Sequence, residues 1–493
     1  MTSRHRIDSV AGDEKADKVA NRGRAARSSL LILGPNGPAI DGASRWFKNV
    51  AAFAVLGYVL FDKSFAWVHV PGVPVFTGEL VLFLAVIVLL RHQRDTAAVL
   101  RDSPMMRTAA LLFVWGALRL AFDLPVWGLD ALRDGAQTNY ILVAMATAVV
   151  LRREPGLMKR LSRLRPWIPA TVVVWVPVAI ILATLFSSVA PRVPDSGTSI
   201  FSFKPGDFAI FAAAAISYVW LTGDQYSSRY RNTITMIGVV GLLVAASRNR
   251  GGMLGAVVLL SLAALFMQRN RRRRFLSGLM LTTGGLILAL AVSNVVIPLG
   301  SRPFSVGQLA ANVVSITGSS QDSALQGTVT WRLDYWQAVV NDVVTGDAWL
   351  TGIGYGPIIT DRYAAQVGNR GSGAAQPLRN THNSHLTLLA RVGLVGLFLW
   401  LALWLQVGLR LNRTSRRTMD PIAGWLTATV VGIGVAAIFD PTLEGPQMAI
   451  PFWCAIGLLA GSVSQRRVPH GRKGPAASSS VIGRHGSGSQ PNS

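Results

Sequence analysis

The sequence predicts an all-α fold, a polytopic membrane helix bundle of about twelve transmembrane helices with one large outer loop that contains an amphipathic helix. Three observations predict it. Hydrophobic residues make up 51% of the 493 and charged residues 15%, where an ordinary soluble domain carries about 25% charge. The apolar residues fall into blocks that reach or approach the roughly 20 residues needed to cross a bilayer. The Lys and Arg between those blocks alternate from dense to sparse along the chain.

Spans are expected near 46–61, 73–90, 107–122, 137–151, 167–186, 206–222, 232–247, 251–267, 275–297, 385–409, 421–439 and 447–464. With a cytoplasmic N-terminus, the inner segments hold 35 of the 48 Lys and Arg. Basic residues concentrate on the cytoplasmic side because that bias orients the chain. The net charge of +24 is therefore read as topology, with membrane lipids as the partner and no nucleic acid. Arg271–Arg274 is the densest example, expected at the headgroups. Both termini are expected to be cytoplasmic, in the plasma (inner) membrane. Residues 1–45 form a basic tail and residues 465–493 a Ser-, Gly- and Arg-rich one, and neither has the apolar content to bury a core. Residues 1–45 lack the short apolar core and cleavage site of a signal peptide, so the first span is expected to be an uncleaved anchor. Cys454, the one cysteine, reads as a packing residue.

The domain proper is 46–464, and residues 300–384 form its outer loop. Within the loop, Trp331, Tyr335 and Val339, with Trp336, Val340 and Val343 beside them, line one face of a helix. Because Trp and Tyr favour membrane interfaces, this helix is expected to lie on the outer leaflet. Gly346, Gly352, Gly354 and Gly356 then turn the chain back.

Three polar clusters fall on the outer side: Ser247-Arg248-Asn249-Arg250-Gly251-Gly252 in a tight turn, Arg332 on the loop helix, and His382-Asn383-Ser384-His385 where the loop rejoins the membrane. The run HNSHLTLLARVGLVGLFLWL, the upstream WRLDYWQAVVND and LTGIGYG, and SRNRGG together resemble the motifs of the O-antigen ligase and polymerase superfamily, in the same order. The resemblance covers roughly residues 200–460. It implies a glycosyltransferase that moves a polyprenyl-diphosphate-linked glycan, such as one on undecaprenyl diphosphate, to an acceptor hydroxyl on a glycan, lipid or protein during cell-surface polysaccharide assembly. No cofactor and no metal are implied. His382, Arg332 and Arg250 match the family's functional histidine and arginines. Arg248, Asn383, His385 and Asp440 are candidate substrate-binding residues, with Glu444 the alternative to Asp440 as the family's acidic residue.

The residue types suit that chemistry. Arginine stays charged and its planar fork matches phosphate oxygens, so it can stabilise a departing diphosphate. Histidine can take the proton of an acceptor hydroxyl near neutral pH. His385, one helical turn beyond His382, is a second candidate base. Among ionisable residues inside spans, Glu79 and Arg119 are expected to pair. Arg391, nine residues past His382, is expected on the opposite helix face as a packing or lipid-facing group. Zinc spacings, a P-loop and a Gly-x-Ser-x-Gly elbow do not occur. The competing classes are a flippase-like transporter, which favours internal repeats and midplane charges, and a non-catalytic scaffold.

Overall fold

A computed structural model of the chain describes residues 41–69, 75–186, 188–193, 197, 199–294, 296–297, 304–314, 323–362, 379–415 and 420–467. Most of the two predicted tails and part of the 300–384 loop lie outside the described residues. Those described are helical, with isolated bridges in place of sheet.

In chain order the helices are α1 Gly42–Ala66, α2 Thr77–Arg91, α3 Gln93–Asp102, α4 Pro104–Trp127, α5 Leu129–Asp134, α6 Ala136–Asn139, α7 Ile141–Arg153, α8 Leu157–Leu161, α9 Trp167–Phe186, α10 Pro205–Leu221, α11 Ser228–Ala246, α12 Arg250–Leu265, α13 Arg269–Ser293, α14 Val306–Val314, α15 Ser323–Thr345, α16 Ile359–Arg362, α17 Ser384–Ser415, α18 Pro421–Ala436 and α19 Pro446–Arg467. Each predicted span overlaps a helix, and 137–151 divides between α6 and α7. Five of them (α1, α4, α9, α13 and the Ser384–Leu411 part of α17) are long and apolar enough to cross a membrane, and α10, α12 and α18 are shorter apolar helices. Helices suit apolar surroundings because every interior backbone group bonds within the segment. Starts are marked by polar caps: Ser103 and Asp420 each precede a proline and accept a backbone N–H, from Met106 and Ile422. Such caps satisfy donors that the first turn leaves open.

The core is centred on α10, which is buried at every residue from Gly206 to Leu221. It packs against α9, α11, α12 and α18. The periphery is the opposite case: α13 buries only Phe275 and turns apolar side chains such as Met280, Leu281 and Val292 outward.

The loop helix departs from expectation. α15 is present, but its Tyr335, Val339 and Val343 are buried together with Ile359, Leu389 and Ala390, and Trp331 and Trp336 pack beside them. The apolar face is covered by α17, not by a leaflet. Periodicity reports that a face must be covered and does not say by what.

Beyond α15, the turn 349–356 wedges into a kink of α17. Gly393 breaks the helix with φ 68°, and a Cβ there would lie 2.3 Å from the Leu350 carbonyl oxygen. The turn fills the gap in the ladder: Leu394 N donates to Trp349 O (2.8 Å) and Ile353 N to Ala390 O (2.7 Å). Gly352, Gly354 and Gly356 all have positive φ, the conformation glycine tolerates best.

Charged groups hold this turn from the other side. Arg119 does not pair with Glu79; its Nε donates to Asp123 Oδ2, one turn on in α4, at 2.9 Å. The same oxygen accepts Tyr355 N at 2.7 Å. Arg391 is not lipid-facing. It is 2% exposed, pairs with Asp134 at 2.8 Å, and donates to the carbonyls of Gly354, Pro357 and Arg379. Arg379 joins Asp134 as well, at 2.9 Å. A buried ion whose partner is removed costs about 3–5 kcal/mol. Arg391→Met is therefore expected to lower the thermal unfolding midpoint of the detergent-solubilised protein by several degrees. A midpoint equal to wild type would refute the clasp.

Candidate active site

The site is assembled where the starts of α10, α12 and α17 meet the end of α18. Two glycines make that meeting possible. A Cβ on Gly252 would lie 2.2 Å from the Cα of Gly206, and one on Gly251 would lie 2.7 Å from the Cβ of Phe439. The SRNRGG turn thus sets its backbone against that of Gly206 and against the Phe439 side chain. Asn249 ties them: its Oδ1 accepts Gly252 N as the cap of α12, and its Nδ2 donates to Asp440 Oδ2 at 2.7 Å.

Arg250 opens α12 directly after that cap. Arg332, from α15, reaches the same place and donates from Nη1 to the Phe439 carbonyl at 3.0 Å. His382 stands beside it, edge-on to the Trp331 ring at 5.9 Å. Arg332, Asp440 and Lys204 are the charged groups that act on its imidazole. Arg332 and His382, 50 residues apart in sequence, are brought together, and Asp440 joins them.

The histidine is held in an unusual posture. His382 has φ 54°, a left-handed conformation uncommon for a side-chain-bearing residue. Its neighbours enforce it. His382 N donates to Asn380 Oδ1, Trp336 Nε1 to Thr381 O, and Thr381 Oγ1 to Asn383 O. Asn383 Oδ1 accepts His385 N and Leu386 N, so this side chain caps α17 and is buried. His382 Nδ1 meets no donor or acceptor among the described residues. Burial, and then the Arg332 cation, push its pKa down to about 4. The ring is neutral at pH 7 and a weaker base than a free imidazole.

Other candidates sit apart. His385 uses both ring nitrogens: Nδ1 accepts Trp400 Nε1 at 2.7 Å and Nε2 pairs with Gly434 O at 3.0 Å. Because Nδ1 accepts, Nε2 carries the proton, and His385 packs among Trp400 and Trp404. Arg248 donates to Thr184 Oγ1 at 3.2 Å, toward α9. Glu444 is near Lys204, Arg391 and Thr387, and burial raises its carboxyl to about 7. Among the described residues no group of three or more His, Cys, Asp or Glu side chains is placed to hold a metal.

Lys204, Asp62 and Asp207 escaped the sequence reading. Lys204 ends the loop before α10, and its N–H donates to Asp62 Oδ2. Asp207 was discoverable, being a carboxyl in the first turn of an otherwise apolar helix. Asp62 was not, because its partner is 142 residues away.

Residues 233–401 match the family model for O-Antigen ligase. The chain carries a domain of the O-antigen ligase family. This bears out the resemblance read from the motifs, and with the apolar helices it makes the chain a multi-pass membrane protein with a role in cell-surface polysaccharide assembly. No curated protein matches the chain. The matched O-antigen ligase segment holds Arg248, Arg250, Arg332, His382, Asn383 and His385. Asp440, Lys204, Asp62 and Asp207 lie outside it.

Two expectations follow. Gly252→Ala forces a Cβ into the Gly206 backbone, and overpacking of this kind costs about 1–3 kcal/mol or more. Its unfolding midpoint should fall well below wild type, whereas Gly284→Ala in α13, which meets nothing within 4 Å, should be neutral. The histidine sets a pH dependence. Its pKa is about 4 in the fold and near 6.5 unfolded. Between these values the unfolded chain binds more protons, so stability falls as pH drops through 6.5 and levels off below 4. Unfolding midpoints from pH 7.5 to 4.5 should slope more steeply for wild type than for His382→Gln; parallel slopes would contradict the assigned environment.

Proposed function

We propose that this protein is a membrane glycosyltransferase that transfers a glycan from polyprenyl diphosphate to an acceptor hydroxyl on the outer face, without metal or cofactor, as a ligase or polymerase of surface polysaccharide. The observation that carries the reading is the meeting of Arg332 and His382 at Phe439–Asp440, beside the start of α12 that carries Arg250. In this topology twelve helices cross the membrane, both termini are cytoplasmic, and the loop faces outward.

Each step has a residue. The donor diphosphate lies against Arg332 and Arg250, whose charges are fixed at any physiological pH. The helix start adds oriented N–H groups that favour an anion. The acceptor oxygen gives its proton to His382 and attacks the anomeric carbon. The bond from that carbon to the diphosphate oxygen breaks, and the electron pair leaves with polyprenyl diphosphate. Charge grows on the diphosphate as the bond breaks, so cations aimed there lower the barrier more than they tighten ground-state binding. Asp440 favours the imidazolium that forms. Asn383 fixes the start of α17 and with it the direction of His382. His385 and Arg248 hold the surrounding helices.

A deletion strain rescued with Arg332→Ala tests this. The loss of one such cation costs about 10²–10³ in rate, so surface-attached glycan should collapse while lipid-linked glycan accumulates. Short attached chains would mark a polymerase, and long unattached lipid-linked chains a ligase. A wild-type profile from Arg332→Ala at normal protein level refutes the catalytic reading.

A further inference from the structure

We propose that Lys204, backed by Asp62 and Asp207, is a further substrate-binding residue that holds the acceptor beside His382, and that the acceptor is a sugar bearing several hydroxyls. The inference rests on the transfer reaction proposed above.

Geometry places Lys204 at the site. The Gly206–Gly252 contact sets the start of α10 against the start of α12, and a Cβ on Gly206 would meet the Asn249 side chain at 2.9 Å. That same Asn249 holds Asp440. Lys204 therefore borders the Asn249–Asp440 pair, and its ammonium adds to the positive field on His382.

The lysine is built in. α1 breaks at Asp62, where φ is 45°, so that Asp62 Oδ2 accepts Lys204 N. Asp207, in the first turn of α10, is buried beside Asp62 and Lys204. Asp62 is 0% exposed and Asp207 4%. They form a backing layer that cannot touch a substrate but balances the ammonium in front of it. Strained backbone persists only where the surroundings over-determine it, and such residues cluster at functional sites. Among the described residues, three non-glycines have positive φ: Asp62, Asn294 and His382. Two of the three belong to this one cluster.

The charge pattern selects the ligand. Lys204 is faced by Asp207, Asp62, Asp440 and Glu444; burial works against its charge, and these carboxyls more than restore it. Four carboxyls around one ammonium disfavour a phosphate, for which Arg332 offers a cation beside His382. Among the described residues, Glu444 Oε1 and His382 Nδ1 also meet no protein donor. Hydroxyls accept from an ammonium and donate to a carboxylate or an imidazole at once. A sugar ring carries several at fixed spacing, whereas a serine or threonine of a protein acceptor offers one.

The test uses the full chain in lipid nanodiscs and in the deletion strain, with Lys204→Met and the nearly isosteric Asp207→Asn, each checked for its unfolding midpoint. The lipid probe is undecaprenyl diphosphate, the donor without its glycan. Both variants should bind it within about twofold of wild type, while attached glycan drops about tenfold or more, the effect of one lost charged hydrogen bond. Arg332→Ala should weaken binding of the probe. Wild-type glycan attachment in folded Lys204→Met and Asp207→Asn overturns the proposal, as does loss of undecaprenyl diphosphate binding, which would assign Lys204 to the donor phosphates. Glycan recovered on peptides after proteolysis of the product overturns the sugar acceptor alone. If Arg332→Ala leaves both probe binding and attachment intact, the transfer reading itself falls, and this one with it.

Discussion

Where Gly252 meets Gly206, two backbones touch with no side chain between them. Lys204, Asn249 and Arg250 sit within three residues of that contact, and Gly251 presses on Phe439, whose carbonyl receives Arg332. A methyl group at the crossing would push apart the starts of α10 and α12. The cation from the loop would then lose the backbone that receives it, and Asn249 would lose its reach to Asp440. Small residues serve helix packing in membranes for the same reason, because close approach is the main gain available where lipid and side chain are equally apolar.

Charge is placed around that crossing in matched groups. On the loop side, Asp123 and Asp134 meet Arg119, Arg379 and Arg391. On the core side, Lys204 meets Asp62 and Asp207. Buried ions of this kind seldom add net stability, and here they fix position: the first group grips the 349–356 turn in the Gly393 kink, and the second sets a cation next to His382. His382 stays neutral beside Arg332, and Lys204 adds to the positive field on its ring. Both cations weaken its imidazole as a proton acceptor, and Asp440 works against them.

How much of this was legible in the sequence depended on the range of the interaction. Apolar runs became helices because the requirement is local: a segment in apolar surroundings must bond its own backbone. Arg332 and His382 were legible through their motifs, as were the glycines of SRNRGG and GIGYG, whose steric need is written in the residue type. The seat of α15 was not, since its aromatic face suits α17 as well as it suits a leaflet. The Glu79–Arg119 pairing overlooked a nearer carboxylate, Asp123, at helical i+4 spacing. The 100° count from His382 to Arg391 assumed one helix, whereas α17 begins only at Ser384 and His382 lies before it with φ 54°. Asp62 and Lys204 lay beyond reach, because only the packed bundle brings them together.

The clasp on Asp134 carries a consequence for biosynthesis. Its two arginines, Arg379 and Arg391, lie about 245 residues or more downstream. At synthesis rates of about 5–20 residues per second, that carboxylate waits roughly 10–50 s for them. Until then this acid lacks the two arginines it meets in the fold, at a place that ends only 6% exposed. The nascent chain must keep this acid in contact with water or with a proton. The N-terminal half therefore cannot close over it first, and final packing of the early helices is deferred until α17 has been made.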